Sequence, residues 1–116
     1  MRSATIVTLS LLATAIAGCG ATFPPPNDEW AAAQTDVGAA QAGGAPNVPD
    51  AKLHLQLSEE DLQKSKDLSD KDNKRAASLI AVARVEAQLA LSLAKASIAA
   101  DQARAAQADV QKAKGN

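Results

Sequence analysis

The chain has 116 residues, with 12 basic and 13 acidic side chains, one histidine and a formal net charge of −1. That near-neutral balance, without a clustered basic face, excludes the electrostatic footprint of a nucleic-acid-binding domain. A single cysteine excludes intrachain disulfides. With aromatics at 2% (Phe23 and Trp30 only), any core must come from Leu, Ile, Val and Ala. The length suits one domain, and one this small buries little surface.

In chain order, Arg2 gives a short, weakly positive start, and Ala4 to Ala17 is uncharged and almost wholly apolar or small. This is the layout of a secretory signal. At about 14 residues the apolar stretch falls short of the ~20 that span a bilayer as a helix. The residues that close it are Ile16, Ala17, Gly18 and Cys19. A branched apolar residue, two small ones and a cysteine resemble the lipobox of bacterial lipoproteins. Small residues let an extended backbone lie in a peptidase cleft, and the thiol is the soft nucleophile that accepts a diacylglyceryl group. The resemblance implies cleavage before Cys19, so that residues 1–18 are a signal peptide, and acylation of Cys19. The competing reading is a plain signal peptide with an incidental cysteine. Lipidation, however, gives the chain's one cysteine a reason to lack a partner. Gly20 follows where an Asp would signal inner-membrane retention in enteric-type bacteria. By resemblance this favours the outer membrane, facing the periplasm. Membrane lipid is thus one expected partner, and no cofactor is expected beyond the covalent lipid.

Residues 19–27, the lipidated cysteine and GATFPPPN, form the tether. Three consecutive prolines favour extended polyproline II geometry and forbid helix, for a reach of at most about 25 Å at ~3.1 Å per residue. Residues 28–114 form an all-α domain, a small antiparallel bundle of two or three helices with a long C-terminal one. The first helix runs over about 28–42, with Asn27 or Asp28 as its cap, Asp28 and Glu29 at its positive end, and Gly43-Gly44 ending it. Trp30 packs it onto the rest. Residues 45–50 (APNVPD) are a turn-rich connector.

The second helix is expected over about 50–69. At 100° per residue it carries one broad apolar-and-small arc, from Leu53, Leu57 and Leu68 through Ser65, Ser58, Ala51 and Leu62 to Leu55, against one charged arc. Serines on the buried side predict close helix approach, and Glu60 and Lys64 make a well-oriented surface pair. After residues 69–73 (SDKDN), with Asp72 or Asn73 as cap, a third helix can run over 74–114 without Gly or Pro. Around residues 79–98 it is apolar on most faces, with only a narrow polar stripe of Arg84, Gln88, Lys95 and Gln102. Such a helix is normally buried on several sides. Beyond Ala99, Val110 is the one sizeable apolar residue.

Residues 50–100 (DAKLHLQLSEEDLQKSKDLSDKDNKRAASLIAVARVEAQLALSLAKASIAA) resemble a family of Ala-rich bacterial envelope lipoproteins that is catalogued as a domain of unknown function. Its pattern is a helix of the type A-x-x-x-L-x-x-A-x-x-x-L, a short Gly-Asp turn, and a second helix rich in Leu, Ala and acidic residues. The resemblance implies a single tetratricopeptide-like helical hairpin in the envelope of a Gram-negative bacterium, and it supplies no catalytic residues. Family members can carry a following peptidoglycan-binding domain of the outer-membrane-protein-A type. Here Lys71-Asp72 stands in place of Gly-Asp and the sequence holds no such second domain, so wall binding does not carry over.

Catalytic and metal chemistry find little footing. His54, Ser58 and Asp61 share one helical arc, but they lie one and two turns apart on a single helix and cannot converge on an acyl carbon as a triad does. Metal binding lacks a second His or a free Cys. The run Glu59-Glu60-Asp61 lacks the spacing and glycine of a calcium loop and reads as a solvated face. No catalytic residue and no small-molecule substrate is expected. The function expected is that of an anchored structural or interaction module, whose partner is an envelope protein or a second copy. The motive is the apolar surface of the third helix, more than one small hairpin covers, and its bare tail. The alternative is a peptidoglycan-associated coiled-coil spacer, against which stand poor heptads, interrupting prolines and glycines, and an end at Lys114-Gly115-Asn116. An enzyme is a distant third.

Overall fold

Proline sets where the helices begin. The computed structural model describes residues 22–115, so Ile16, Ala17, Gly18 and Cys19 lie outside the described residues. Helix α1 spans Asn27–Ala42 and starts directly after Pro26, whose carbonyl accepts from Trp30 N at 3.0 Å. Neither Asn27 nor Asp28 caps it. Both lie within the helix, where Asp28 and Glu29 favour its positive end without a side-chain cap. A single 3₁₀ turn, Ala45–Asn47, leads to α2, Pro49–Leu68, which opens on Pro49, where the missing N–H is no loss. Helix α3 spans Asn73–Lys114, 42 residues and about 63 Å at 1.5 Å per residue. Asp72 is its cap and accepts from Arg75 N at 3.0 Å. Replacing Asp72 by Ala leaves that N–H unpaired and is expected to cost about 1 kcal/mol, measurable as a lower urea midpoint with unchanged slope.

Two adjacent glycines separate α1 from α2 for different reasons. A Cβ on Gly43 would meet Leu91 Cδ1 at 2.3 Å, so this position admits the long helix closely, while Gly44 takes φ +92. The second turn uses Asp70 at φ 67, a conformation that short polar residues tolerate. Its N–H donates to Asn73 Oδ1 at 2.8 Å.

The helices form an up-down-up bundle. Ser58 Oγ donates to Ala83 O at 2.7 Å and His54 meets Glu86, so α2 runs antiparallel to α3. Asp36 pairs with Arg84 and Ala40 packs with Ala90, so α1 runs parallel to α3. The seam between α2 and α3 is made mostly of small residues at alternating steps of four and three, the spacing of an apolar stripe on a supercoiling helix. On α3 these are Ala76, Ile80, Ala83, Ala87, Ala90 and Ala94, and on α2 Ala51, Leu55, Ser58, Leu62 and Ser65. The buried serines make the expected close contacts with their hydroxyls satisfied: Ser58 bonds across to α3, and Ser65 Oγ donates to Leu62 O at 2.7 Å. Trp30 and Ala33 of α1 pack with Leu62, Ile80 and Ala83 of the other two helices.

The apolar arc read on the second helix divides in two. Leu53 and Leu57 remain 55% and 39% exposed, because the closest helix approach goes to the small residues beside them. Nor is α3 buried on several sides. With only two helices to cover it, Val82, Val85 and Leu89 face outward, and every residue from Ile98 to Lys114 is exposed. The Pro-rich segment joins at the opposite end. Pro26 is buried, and Asn73 Nδ2 donates to Phe23 O at 2.8 Å beside the α2–α3 turn.

Candidate functional site

Three features of the bundle could do chemistry or bind. The first is the His54, Ser58 and Asp61 set. Its members face three ways: His54 Nδ1 shares a hydrogen bond with Glu86 Oε2 at 2.5 Å, Ser58 donates into α3, and Asp61 lies 3.4 Å from Lys64 Nζ. The His54–Glu86 pair is partly buried and joins α2 to α3 at the edge of their contact. The sequence does not reveal Glu86, which has no marker other than its place on a largely apolar helix. Among the described residues, no group of three or more His, Cys, Asp or Glu side chains could hold a metal ion.

The second feature is the surround of Trp30. A groove of about 400 Å³ runs between α1 and α2, lined in part by Gln34, Gln41, Glu59 and Gln63. A second, about 410 Å³, lies toward Pro26 and Ile80. Trp30 lines both, with Lys66 Nζ 5.9 Å from its ring centroid, within range of a cation–π contact. Its Nε1 is buried and makes no hydrogen bond. An unpaired buried donor costs about 1–3 kcal/mol, so the indole is held there by packing.

The third feature is an exposed apolar face. The side of the bundle that α1 leaves uncovered carries Leu53 and Leu57 of α2 and Val82, Val85 and Leu89 of α3, the last three 48%, 64% and 40% exposed. Monomeric domains expose single apolar residues freely, but grouped ones mark interaction surfaces. By length and composition α3 could also cross a membrane: it holds an 18-residue window of mean hydropathy 1.4. Two charged residues of its apolar half are tied to neighbouring helices, Arg84 Nε to Asp36 Oδ2 at 2.9 Å and Glu86 to His54. Its alanine stripe is packed under α1 and α2. This is the arrangement of a bundle helix.

No family model, curated protein or solved structure matches the chain. The described residues form an all-α bundle of three helices, the last one long.

Proposed function

We propose that the protein is a lipid-anchored lipoprotein of the bacterial envelope that works as a structural or interaction module, without catalysis. One observation carries the reading: Ile16, Ala17, Gly18 and Cys19 close an uncharged apolar stretch, and Cys19 is the only cysteine. The bundle's polarity is consistent with it. The chain enters beside the α2–α3 turn, where Asn73 holds Phe23, and the free part of α3 points the other way. An anchor at Cys19 would leave α3 projecting from the membrane with its apolar side open to a protein neighbour, in the outer membrane by default.

Each buried methylene of an acyl chain contributes about 0.8 kcal/mol, and a single chain binds only marginally while two hold firmly. Wild-type protein is therefore expected to sediment with membranes after a high-salt wash. Replacing Cys19 by Ala should shift the membrane-to-soluble ratio by more than tenfold toward the soluble fraction. A Cys19→Ala chain that stays membrane-bound as the wild type does would overturn the anchor.

A further inference from the structure

Helix α3 carries two apolar stripes on opposite sides. The inner one, from Ala76 to Ala94, is consumed by α1 and α2. The outer one has the same alternation of three and four. Val82, Val85 and Leu89 open it, Ser92 follows, alanines hold positions 96, 99, 103 and 106, and Val110 and Ala113 close it. Every one of these positions is exposed. None is charged, although α3 carries charged residues along its whole length. Ser92 Oγ donates to Gln88 O at 2.9 Å within the helix, so it brings no unpaired hydroxyl to the stripe. The stripe is about 45 Å long at 1.5 Å per residue. It runs without a break from the packed half of α3 into the segment that touches no other helix.

We infer that this outer stripe is a coiled-coil seam whose occupant is a second copy of the same chain, aligned parallel and in register. A 3.5-residue apolar repeat is the pattern that pairs long helices. A partner helix lying along the seam would cover the otherwise bare segment 98–114. The flanking positions suit a parallel self-pair. With the seam residues at the two core positions of the heptad, Asp109 falls beside Lys114 of the second copy. The pairs before it, Gln102 with Gln107, Lys95 with Ala100 and Gln88 with Leu93, set no like charges together. Direction rests on the proposed anchor: the tethered end and the start of α3 coincide, so neighbouring copies present α3 with the same polarity. Alanine layers bury little area each, so the pair is weak in dilute solution. Confinement to a membrane raises the effective concentration that holds it.

The test is disulfide trapping in membranes of cells that make the full chain. Cysteine is placed singly at Leu89, Ala103 or Ala105, oxidation is by copper–phenanthroline with oxygen, and linked peptides are mapped by mass. Positions 89 and 103 lie on the seam; 105 is equally exposed but off it. Self-linked dimer at 89 and at 103, at least tenfold above that at 105, is the expected result. A glutamate in place of Ala99, in the Ala103→Cys chain, should reduce that dimer at least tenfold. Absence of dimer at 89 and 103, or equal yield at 105, overturns the inference. Sedimentation of the same samples keeps the anchor separate: membrane-bound chains that do not link defeat the seam alone, and soluble chains that still link defeat the anchor alone.

Discussion

Replacing Ile80 by Ala is expected to destabilise the bundle by about 3 kcal/mol. Ile80 is 1% exposed and the largest of the fully buried side chains among the described residues. It fills the space below Trp30, among Ala33, Leu62 and Ala83. Two of those neighbours are alanines, which have no side-chain reach with which to close a cavity. The loss therefore includes both the transfer of the removed carbons and most of the void they leave. For a domain of this size, stability is of the order of 5–10 kcal/mol, so such a loss is a large share of it. Urea unfolding followed by helical circular dichroism measures it as a fall in midpoint at constant slope. The matching control is Val85→Ala. Val85 is 64% exposed, so its truncation should change the midpoint little. A loss at Ile80 no larger than at Val85 would mean that the second core cluster is not where the bundle is held.

The opposite substitution has a comparable effect at the other end of the core. Ala90→Leu should destabilise by about 3 kcal/mol, because an added isobutyl group has nowhere to go. Ala90 is fully buried, at the meeting of Ala40, Ala45, Ala51 and Leu55, where all three helices and the 3₁₀ turn approach one another. Leu is nearly as good a helix former as Ala, so the loss cannot come from α3 itself. It must come from helices forced apart. Ala106→Leu makes the same chemical change 16 residues on, where the side chain is exposed, and should leave the midpoint unchanged or raise it. Equal losses at both positions would contradict the close-packed alanine seam.

Alanine explains both what the sequence made legible and what it hid. The three helices begin at Asn27, Pro49 and Asn73, each one residue before the expected start, although the first begins behind Pro26 without the Asn27 or Asp28 cap expected for it. Proline, glycine and the Asp72 cap are local signals, and backbone chemistry reads them the same way in sequence and in structure. Trp30 as a clamp and the serines as small contact residues were also legible, because each is rare on its helix face. The side of α2 that is buried was only half legible. A hydropathy arc weights Leu53 and Leu57 above Ser58 and Ser65, whereas packing geometry prefers the residues that let backbones come close. Alanine has the same ambiguity on α3. It is apolar enough to be buried and small enough to be exposed, so its periodicity is drowned when nearly every face carries it. The outer stripe is hidden in the sequence for that reason: alanines of the inner stripe, which α1 and α2 cover, lie between its own positions. Arg84 was legible only as part of the narrow polar stripe and Glu86 not at all, because their partners Asp36 and His54 come from elements remote in sequence.

The anchor and the bundle divide the work in this account. On the proposed reading Cys19 would hold the chain at a membrane, and the three helices would present a long, partly bare helix away from it. Intact-mass measurement of the full-length gene product, extracted from membranes beside its Cys19→Ala variant, tests this most directly. The account predicts a wild-type chain that begins at Cys19 and carries the added mass of its acyl groups, and a variant without them. A wild-type chain recovered unacylated, with Cys19 a free thiol, would contradict it and leave the bundle an unanchored protein.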